Sequence, residues 1–336
     1  MTTPSEPEFM QIMSMARGFQ AAKMLMVAAD LAVFDFLEEP QSAVEAASHL
    51  KAEPRAVGIF LDGLTALGLL VKGVDYYHNA ELTSRYLVRG KEEYRGAIIR
   101  HMHHTLRSWN RLAETLVLGH PPEVEPEKWL DKGEKEPEEV ADFIWGMHAL
   151  ARDLAPQVAA KLNLRGVKRL LDLGGGPATY AIYFAKAKPE ITATVFDLPV
   201  PSKIARENIA RYGLSDRIDT LAGNFLKDDI GSGYDFIWIS HILHSHDEEQ
   251  CHLIINKAIR ALNPGGAMAI QDFFLNDDGV SPVGAAMFSV HMLAVTPRGR
   301  SYMHTEVADW LLSAGLVDIQ HIETTPDASV VLARKE

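Results

Sequence analysis

Cysteine is almost missing: Cys251 is the single thiol in 336 residues. That excludes an internal disulfide framework and a cysteine-rich zinc module, and it makes a reducing, cytoplasmic address the simplest expectation. Basic residues are also in short supply. Lys and Arg total 33 against 45 Asp and Glu, a formal net charge of -12, which is a poor electrostatic footprint for a phosphate backbone or an anionic membrane surface. Long apolar runs are absent too. Arg17, Lys23, Asp30 and Asp35 interrupt the apolar N-terminal stretch. No run approaches the ~18–20 residues of a membrane span, and no basic start precedes an apolar signal core. What is there is globular material, 47% hydrophobic, in a chain long enough for about two domains at ~150 residues each. The expectation is a soluble, untargeted protein with neither a nucleic-acid nor a membrane partner.

The first hundred residues carry helical spacing almost throughout. Apolar positions recur at Phe9, Met13, Ala16, Phe19 and Ala22 and continue from Met26 to Phe36. Residues 42–50 read as a short helix, and Pro54, well suited to a helix start, opens another toward Leu70. Residues 69–72 and 76–79 flank Gly73 as a small hairpin. Helix, helix, hairpin is the order of a winged helix. A winged helix that reads DNA needs Arg, Lys, Asn or Gln on its recognition helix, and residues 54–70 offer only Arg55 and Asp62 as charges. The stripe Met10, Met13, Met24 and Met26 reads instead as buried helix packing, at a dimer interface. A second helical zone follows, with residues 94–118 amphipathic and 137–162 also helical. Between them, residues 121–140 are rich in Pro, Glu and Lys and read as a solvated connection.

From Val167 strands and helices alternate. Candidate strands are 169–173, 191–197, 219–225, 234–241 and 267–274, with helices at 179–186, 201–212 and 248–262. This is the pattern of an α/β, doubly wound, Rossmann-like parallel sheet. Residues 316–324 and 328–334 are spaced to add an antiparallel hairpin at one edge. The expected division is a mostly α winged-helix dimerisation domain at 1–100, linker helices contributing to a substrate pocket at 101–160, and a cofactor-binding domain at 161–336.

The most informative stretch runs from Leu170 through Asp172 to Gly174, Gly175 and Gly176. A buried strand enters three glycines and then a helix, so the backbone can approach a ligand while helix N–H groups point at it. The next strand ends at Asp197, where acidic residues of nucleotide-binding folds accept from ribose hydroxyls. Thr179 stands where the dinucleotide fingerprint requires its third glycine, which disfavours a nicotinamide dehydrogenase. Asp172 suits a cationic amino-acid ligand better than a pyrophosphate.

Together with Val195–Pro199, Gly223-Asn224-Phe225, Leu243-His244, Asn263–Gly266 and Gly299-Arg300, these residues resemble the S-adenosylmethionine-dependent small-molecule O-methyltransferases of the caffeate and hydroxyindole type, bacterial pigment and antibiotic enzymes included. The resemblance covers nearly the whole chain. It implies S-adenosylmethionine as cofactor, S-adenosylhomocysteine as product, and a homodimer with interlocked N-terminal domains. Gly174 and Gly176 would line the methionine end of the cofactor, Asp197 would hold the ribose, and Phe225 would pack on adenine. Asn224 stands where the family usually has Asp and keeps a carbonyl for the adenine amino group. Asp172, Gly175, Leu198 and Ser240 complete the expected cofactor set.

Methyl transfer from a sulfonium is an in-line displacement with a good leaving group, so alignment can supply ~7–11 kcal/mol and a general base another ~10²–10⁴-fold. The segment from Ser240 to Asp247 follows the fourth strand at its carboxyl end, where open parallel sheets place their sites. By the resemblance, His244 is the catalytic base and Asp272 its orienting carboxylate, one methylene shorter than the usual Glu. Ser245 and Ser301 occupy positions where the family carries acidic residues. Trp109, Phe143, Met147, Phe273, Met287, His291 and Met292 would wall a pocket for a flat aromatic or polyene methyl acceptor, although the same spacing also describes ordinary core. Carbon or nitrogen methylation on the same fold stays open. So does a non-catalytic, S-adenosylmethionine-binding winged-helix regulator, which the serines at 245 and 301 favour and the acidic net charge opposes. His101, His103 and His104, with His148, His241, His246 and His291, raise the thought of a metal or metallated substrate. Scattered histidines complete no metal motif, and no catalytic metal is expected.

Overall fold

The computed structural model describes residues 6–122 and 137–336, so most of the acidic connection expected at 121–140 lies outside the described residues. The chain divides into two compact units, Met1–Leu106 and Arg107–Glu336.

In the first unit a long helix α1 (Glu6–Asp30) leads through a single turn α2 (Val33–Phe36) to α3 (Ala43–Leu50), α4 (Pro54–Ala66), a hairpin of β1 (Leu70–Lys72) with β2 (Tyr77–Asn79), and α5 (Glu81–Tyr86). Local chemistry sets these boundaries. Ser42 and Glu45 form a reciprocal capping box at the start of α3, and Glu53 caps α4 one residue ahead of Pro54. Leu61, Leu64, Phe34 and Leu37, each at most 1% exposed, form the centre of this unit's core. The methionine stripe is only partly covered within one chain, with Met13, Met24 and Met26 half-buried. Met10 is 53% exposed, and Phe9, Ile12, Met15 and Phe19 stand out beside it, so within one chain this end of α1 presents an uncovered apolar face.

Two helices expected as continuous are broken. The 94–118 stretch is α6 (Gly96–Trp109) and α7 (Leu112–Leu118), and the 137–162 stretch is α8 (Pro137–Ala151) and α9 (Ala155–Lys161). Pro156 lacks an N–H for the helical ladder, so it fits the first turn of a new helix and not the interior of an old one.

The rest of the second unit is the expected α/β layer: β3 (Arg169–Leu173), α10 (Thr179–Ala187), β4 (Thr192–Asp197), α11 (Pro199–Arg211), β5 (Ile218–Ala222), β6 (Tyr234–Ser240), α12 (Glu248–Ala261), β7 (Leu262–Asp272), α13 (Val283–Val295), α14 (His304–Ser313), β8 (Leu316–Glu323) and β9 (Ser329–Lys335). The strands lie in the order β5-β4-β3-β6-β7-β9-β8, the first five parallel and the last two antiparallel. β5 ends three residues before the expected Phe225, because Asn224 turns the chain by accepting from the Leu226 N–H through its side-chain oxygen. Both sheet faces are covered, one by a core containing Phe184, Phe236 and Trp238 and the other by one containing Leu171, Ile237 and Ile239. That double burial explains the nearly unbroken apolar character of β3 and β6.

Arg217 ties α10 to the strands beyond it. Its guanidinium donates to the carbonyls of Ala185 and Pro189, both at 2.8 Å, satisfying an acceptor in the last turn of α10 that the helix leaves open. Replacing Arg217 by Leu should lower the urea midpoint of unfolding by the equivalent of about 1–3 kcal/mol.

Candidate active site

β3 and β6 are neighbours, and the chain winds away from them in opposite directions, with β4 and β5 on one side and β7 on the other. Their carboxyl ends therefore frame the switch-point crevice in which open α/β sheets hold ligands. The glycine turn leaves β3 at this point, and the segment carrying His241 and His244 leaves β6.

Gly174 and Gly176 adopt φ of 71° and 50°, a region glycine enters without steric cost. A Cβ on Gly174 would lie 2.3 Å from Ile242 Cδ1, so the two loops pack backbone against side chain, whereas a Cβ on Gly176 would meet nothing within 4 Å. Asp197 joins the ends of the adjacent strands: one carboxylate oxygen accepts from the Gly176 N–H and the other from the Leu198 N–H, each at 2.7 Å. Burial pushes its carboxyl up to about 6 against the pull of those two donors. Each oxygen keeps a lone pair for a further donor. Phe225 lies beside the same turn, its ring 3.6 Å from where a Gly174 Cβ would stand. Asn224 has spent one lone pair of its amide oxygen on Leu226, and its backbone N–H donates to Asp228. The Ser240 hydroxyl is buried and lies near the Tyr180 hydroxyl.

Asp172 requires a correction. Expected to face a cationic ligand, it is 1% exposed beneath the glycine turn, and its carboxylate accepts from the Ala181 N–H at 3.2 Å. It supports the turn from below.

Opposite the glycine turn, Asp272 ends β7 at 2% exposure. It receives His244 Nδ1 at 2.5 Å, the His244 N–H at 3.2 Å and the Phe273 N–H at 2.9 Å. Burial pushes this carboxyl up, but the His244 imidazole at hydrogen-bond distance and the His241 ring beside it outweigh that and hold it well below the usual range. An ionised carboxylate only accepts, so His244 carries its proton on Nδ1, and in the neutral ring Nε2 is left bare. His241, with a left-handed φ of 57°, brings a second imidazole to the same carboxylate, Nδ1 standing 3.7 Å from Oδ1. Among the described residues, His241, His244 and Asp272 are the group whose ligand atoms, all within 4.8 Å of one another, could hold a metal ion. The 2.5 Å contact between His244 and Asp272 is hydrogen-bond distance, and a shared proton accounts for it. The other histidines go to separate partners, His103 to Lys23, His148 to Thr179 and His246 to Gln250. Ser301, where an acidic residue was expected, is 1% exposed and donates to the Ala285 carbonyl, so it braces α13.

A set of rings continues from this pair. Phe273 lies 4.6 Å from His241 and 4.3 Å from Phe288, and Phe288 lies 4.8 Å from His244 and 5.8 Å from His291. Trp109 reaches His291 by a hydrogen bond of 2.9 Å. Of the wall expected from the sequence, Trp109, Phe273 and His291 are thus brought together. Phe143 and Met147 are half-buried on α8, Met292 is buried in α13, and Met287 is 57% exposed, so Met287 forms no closed wall within one chain. Phe288 was not anticipated at the site, whereas His241 had been named only among the scattered histidines. The i, i+3 spacing of Phe288 and His291 along α13 was the available signal for Phe288.

Residues 125–317 match the O-methyltransferase domain family, and residues 13–89 match the O-methyltransferase dimerisation domain. The chain belongs to the O-methyltransferase family. This methyltransferase is 33% identical over 95% of its length to the 3-hydroxy-5-methyl-1-naphthoate 3-O-methyltransferase of Streptomyces sahachiroi, 93% of which is covered. It is 30% identical to the tetracenomycin polyketide synthesis 8-O-methyl transferase of Streptomyces glaucescens, over 96% of each chain. The structure of human N-acetylserotonin methyltransferase in complex with SAM superposes with a TM-score of 0.87 at 25% identity, covering 100% of this chain and 99% of that one. The cofactor of the methyltransferase is S-adenosylmethionine, and the residues present fit it. Asp197 retains lone pairs for hydroxyl donors, and the space over Gly176 is open. Among the described residues no helix is long and apolar enough to cross a membrane.

Asp172 gives a pH test of the turn's foundation. Burial pushes its carboxyl up to about 7, above its unfolded value of ~3.9. Its contribution to stability is therefore full below that unfolded value and is lost as pH rises through 7. In urea titrations without cofactor, Asp172→Asn should gain on the parent between pH 5 and pH 8 by on the order of a few kcal/mol. An equal difference at both pH values would mean that Asp172 titrates as an ordinary surface carboxylate.

Proposed function

We propose that the enzyme methylates a hydroxyl of a small planar acceptor, aromatic or polyene, with His244 as general base and Asp272 as the group that orients it. The supporting observation is the 2.5 Å contact between His244 Nδ1 and a buried, ionised carboxylate. It fixes the tautomer, aims a bare Nε2 away from Asp272, and balances the charge on the ring when it takes a proton. When bound, S-adenosylmethionine supplies a methyl carbon made electrophilic by its sulfonium. The protein's own part is to hold the hydroxyl in line, to accept its proton at Nε2, and to keep water out with the Phe273 and Phe288 rings. Gly174, Gly175, Gly176 and Ser240 take the methionine end, Asp197 and Leu198 the ribose, and Phe225 with Asn224 the base. Trp109, Phe273, Phe288 and His291, with Phe143, Met147, Met287 and Met292, take the methyl acceptor. Aromatic relatives of known name, one acting on a hydroxynaphthoate and another on a tetracenomycin polyketide, support this substrate class. The single thiol, buried with its S–H donating to the Leu243 carbonyl, suits a cytoplasmic setting.

Against a panel of hydroxynaphthoates and phenolic polyketides, His244→Ala should lower kcat by ~10²–10⁴-fold. Asp272→Asn should lower it substantially as well, because an amide no longer enforces the tautomer. A loss of only a few-fold for His244→Ala would leave alignment alone to carry the rate.

The matched dimerisation domain and the uncovered Phe9, Met15 and Phe19 face of α1 support a homodimer. Light scattering behind size exclusion should give twice the chain mass of 37.2 kDa, and Phe19→Asp with Met15→Asp should shift the peak toward the monomer.

A further inference from the structure

Trp109 and His291, 182 positions apart, meet through one hydrogen bond, indole Nε1–H to imidazole Nδ1 at 2.9 Å, with the ring planes 16° apart. An indole nitrogen only donates. His291 Nδ1 is therefore the bare nitrogen and its ring proton sits on Nε2, since a proton on Nδ1 would set two N–H groups against each other. Burial pushes His291 down, in keeping with a neutral ring. Among the described residues, none accepts a hydrogen bond from its Nε2–H.

His244 presents the opposite polarity, with Nδ1–H tied to Asp272 and Nε2 bare. Phe288 stands between the two imidazoles, at 4.8 Å and 5.8 Å. The ring set thus carries a proton-accepting nitrogen on one imidazole and an N–H donor on the other, with Phe288 packed against both. Neither can exchange roles, because each Nδ1 is fixed by a partner of single polarity.

We propose that His291, fixed by Trp109, is a specificity-determining residue that binds a second oxygen of the substrate, a carbonyl or carboxylate oxygen on the same planar skeleton as the hydroxyl to be methylated. The proposal rests on the reading of His244 as the base at that hydroxyl. A ring alcohol lacking the second oxygen leaves the Nε2–H desolvated and unpaired, and sites built around such a donor discriminate strongly against ligands that cannot use it.

The test is binding to the S-adenosylhomocysteine-saturated enzyme, by calorimetry, of 2-naphthol, 6-acetyl-2-naphthol, 6-hydroxy-2-naphthoate and 3-hydroxy-2-naphthoate. At least one oxygen-bearing probe should bind about tenfold or more tighter than 2-naphthol, and the ketone and the carboxylates separate the two kinds of oxygen. In His291→Phe this ratio should fall toward one. His291→Asn, which keeps a donor, should retain part of it, and Trp109→Phe, which frees the tautomer, should reduce it. Nitrogen-15 spectra of the histidine-labelled protein should show His291 protonated at Nε2. Equal affinities for all four probes in the parent enzyme, a ratio unchanged in His291→Phe, or a proton on Nδ1 would each overturn the proposal. Discrimination that survives while His244→Ala still turns over would remove the base reading and leave this one standing.

Discussion

A carboxylate at 2% exposure must find donors or give up its charge. Asp272 finds them in the His244 imidazole, the His244 backbone and the backbone of Phe273. Those contacts pin the turn after β6 to the end of β7, fix which nitrogen of His244 is bare, and set a negative charge where an imidazolium would need one. The base, its tautomer and its position are therefore one arrangement and not three separable features.

The cofactor side is built by different means. There the backbone does most of the work, through left-handed glycines, a carboxylate bridging the ends of β3 and β4, and an interior Asp172 under the turn. The methyl-acceptor side is built from side chains contributed by α6, α13 and the strand ends. It varies in shape with each ring, while the glycine turn tolerates little beyond a hydrogen atom at 174. The division suits an enzyme with a common cofactor and an individual substrate.

Much of this was legible in the sequence because it depends on local rules. Double burial writes strands as apolar runs, three glycines after a strand announce a turn, and Asp197 follows at the end of the next strand. His244 and Asp272 were assigned by resemblance, and the geometry brings them together. The misses have physical causes. Asp172 looks ligand-facing because sequence shows its neighbours but not its depth. The breaks at Asn110 and after Ala151 fall inside patterns that remain amphipathic, so periodicity passes over them. Phe288 hides in a helix that is apolar on all sides, VGAAMFSVHMLAV, where no face stands out. The pairings of His241 with Asp272 and of Trp109 with His291 join distant segments, and no spacing rule reports them.

His241 has one more consequence. Its left-handed backbone is a conformation that costs a side-chain-bearing residue ~1–2 kcal/mol and glycine almost nothing. The exit from β6 therefore carries an energetic deficit that the packed strands on either side must absorb. The corner that aims two imidazoles at a buried charge is thus held under strain, so substitutions that loosen β6 or β7 elsewhere should first be felt as misdirected histidines, well before the sheet itself comes apart.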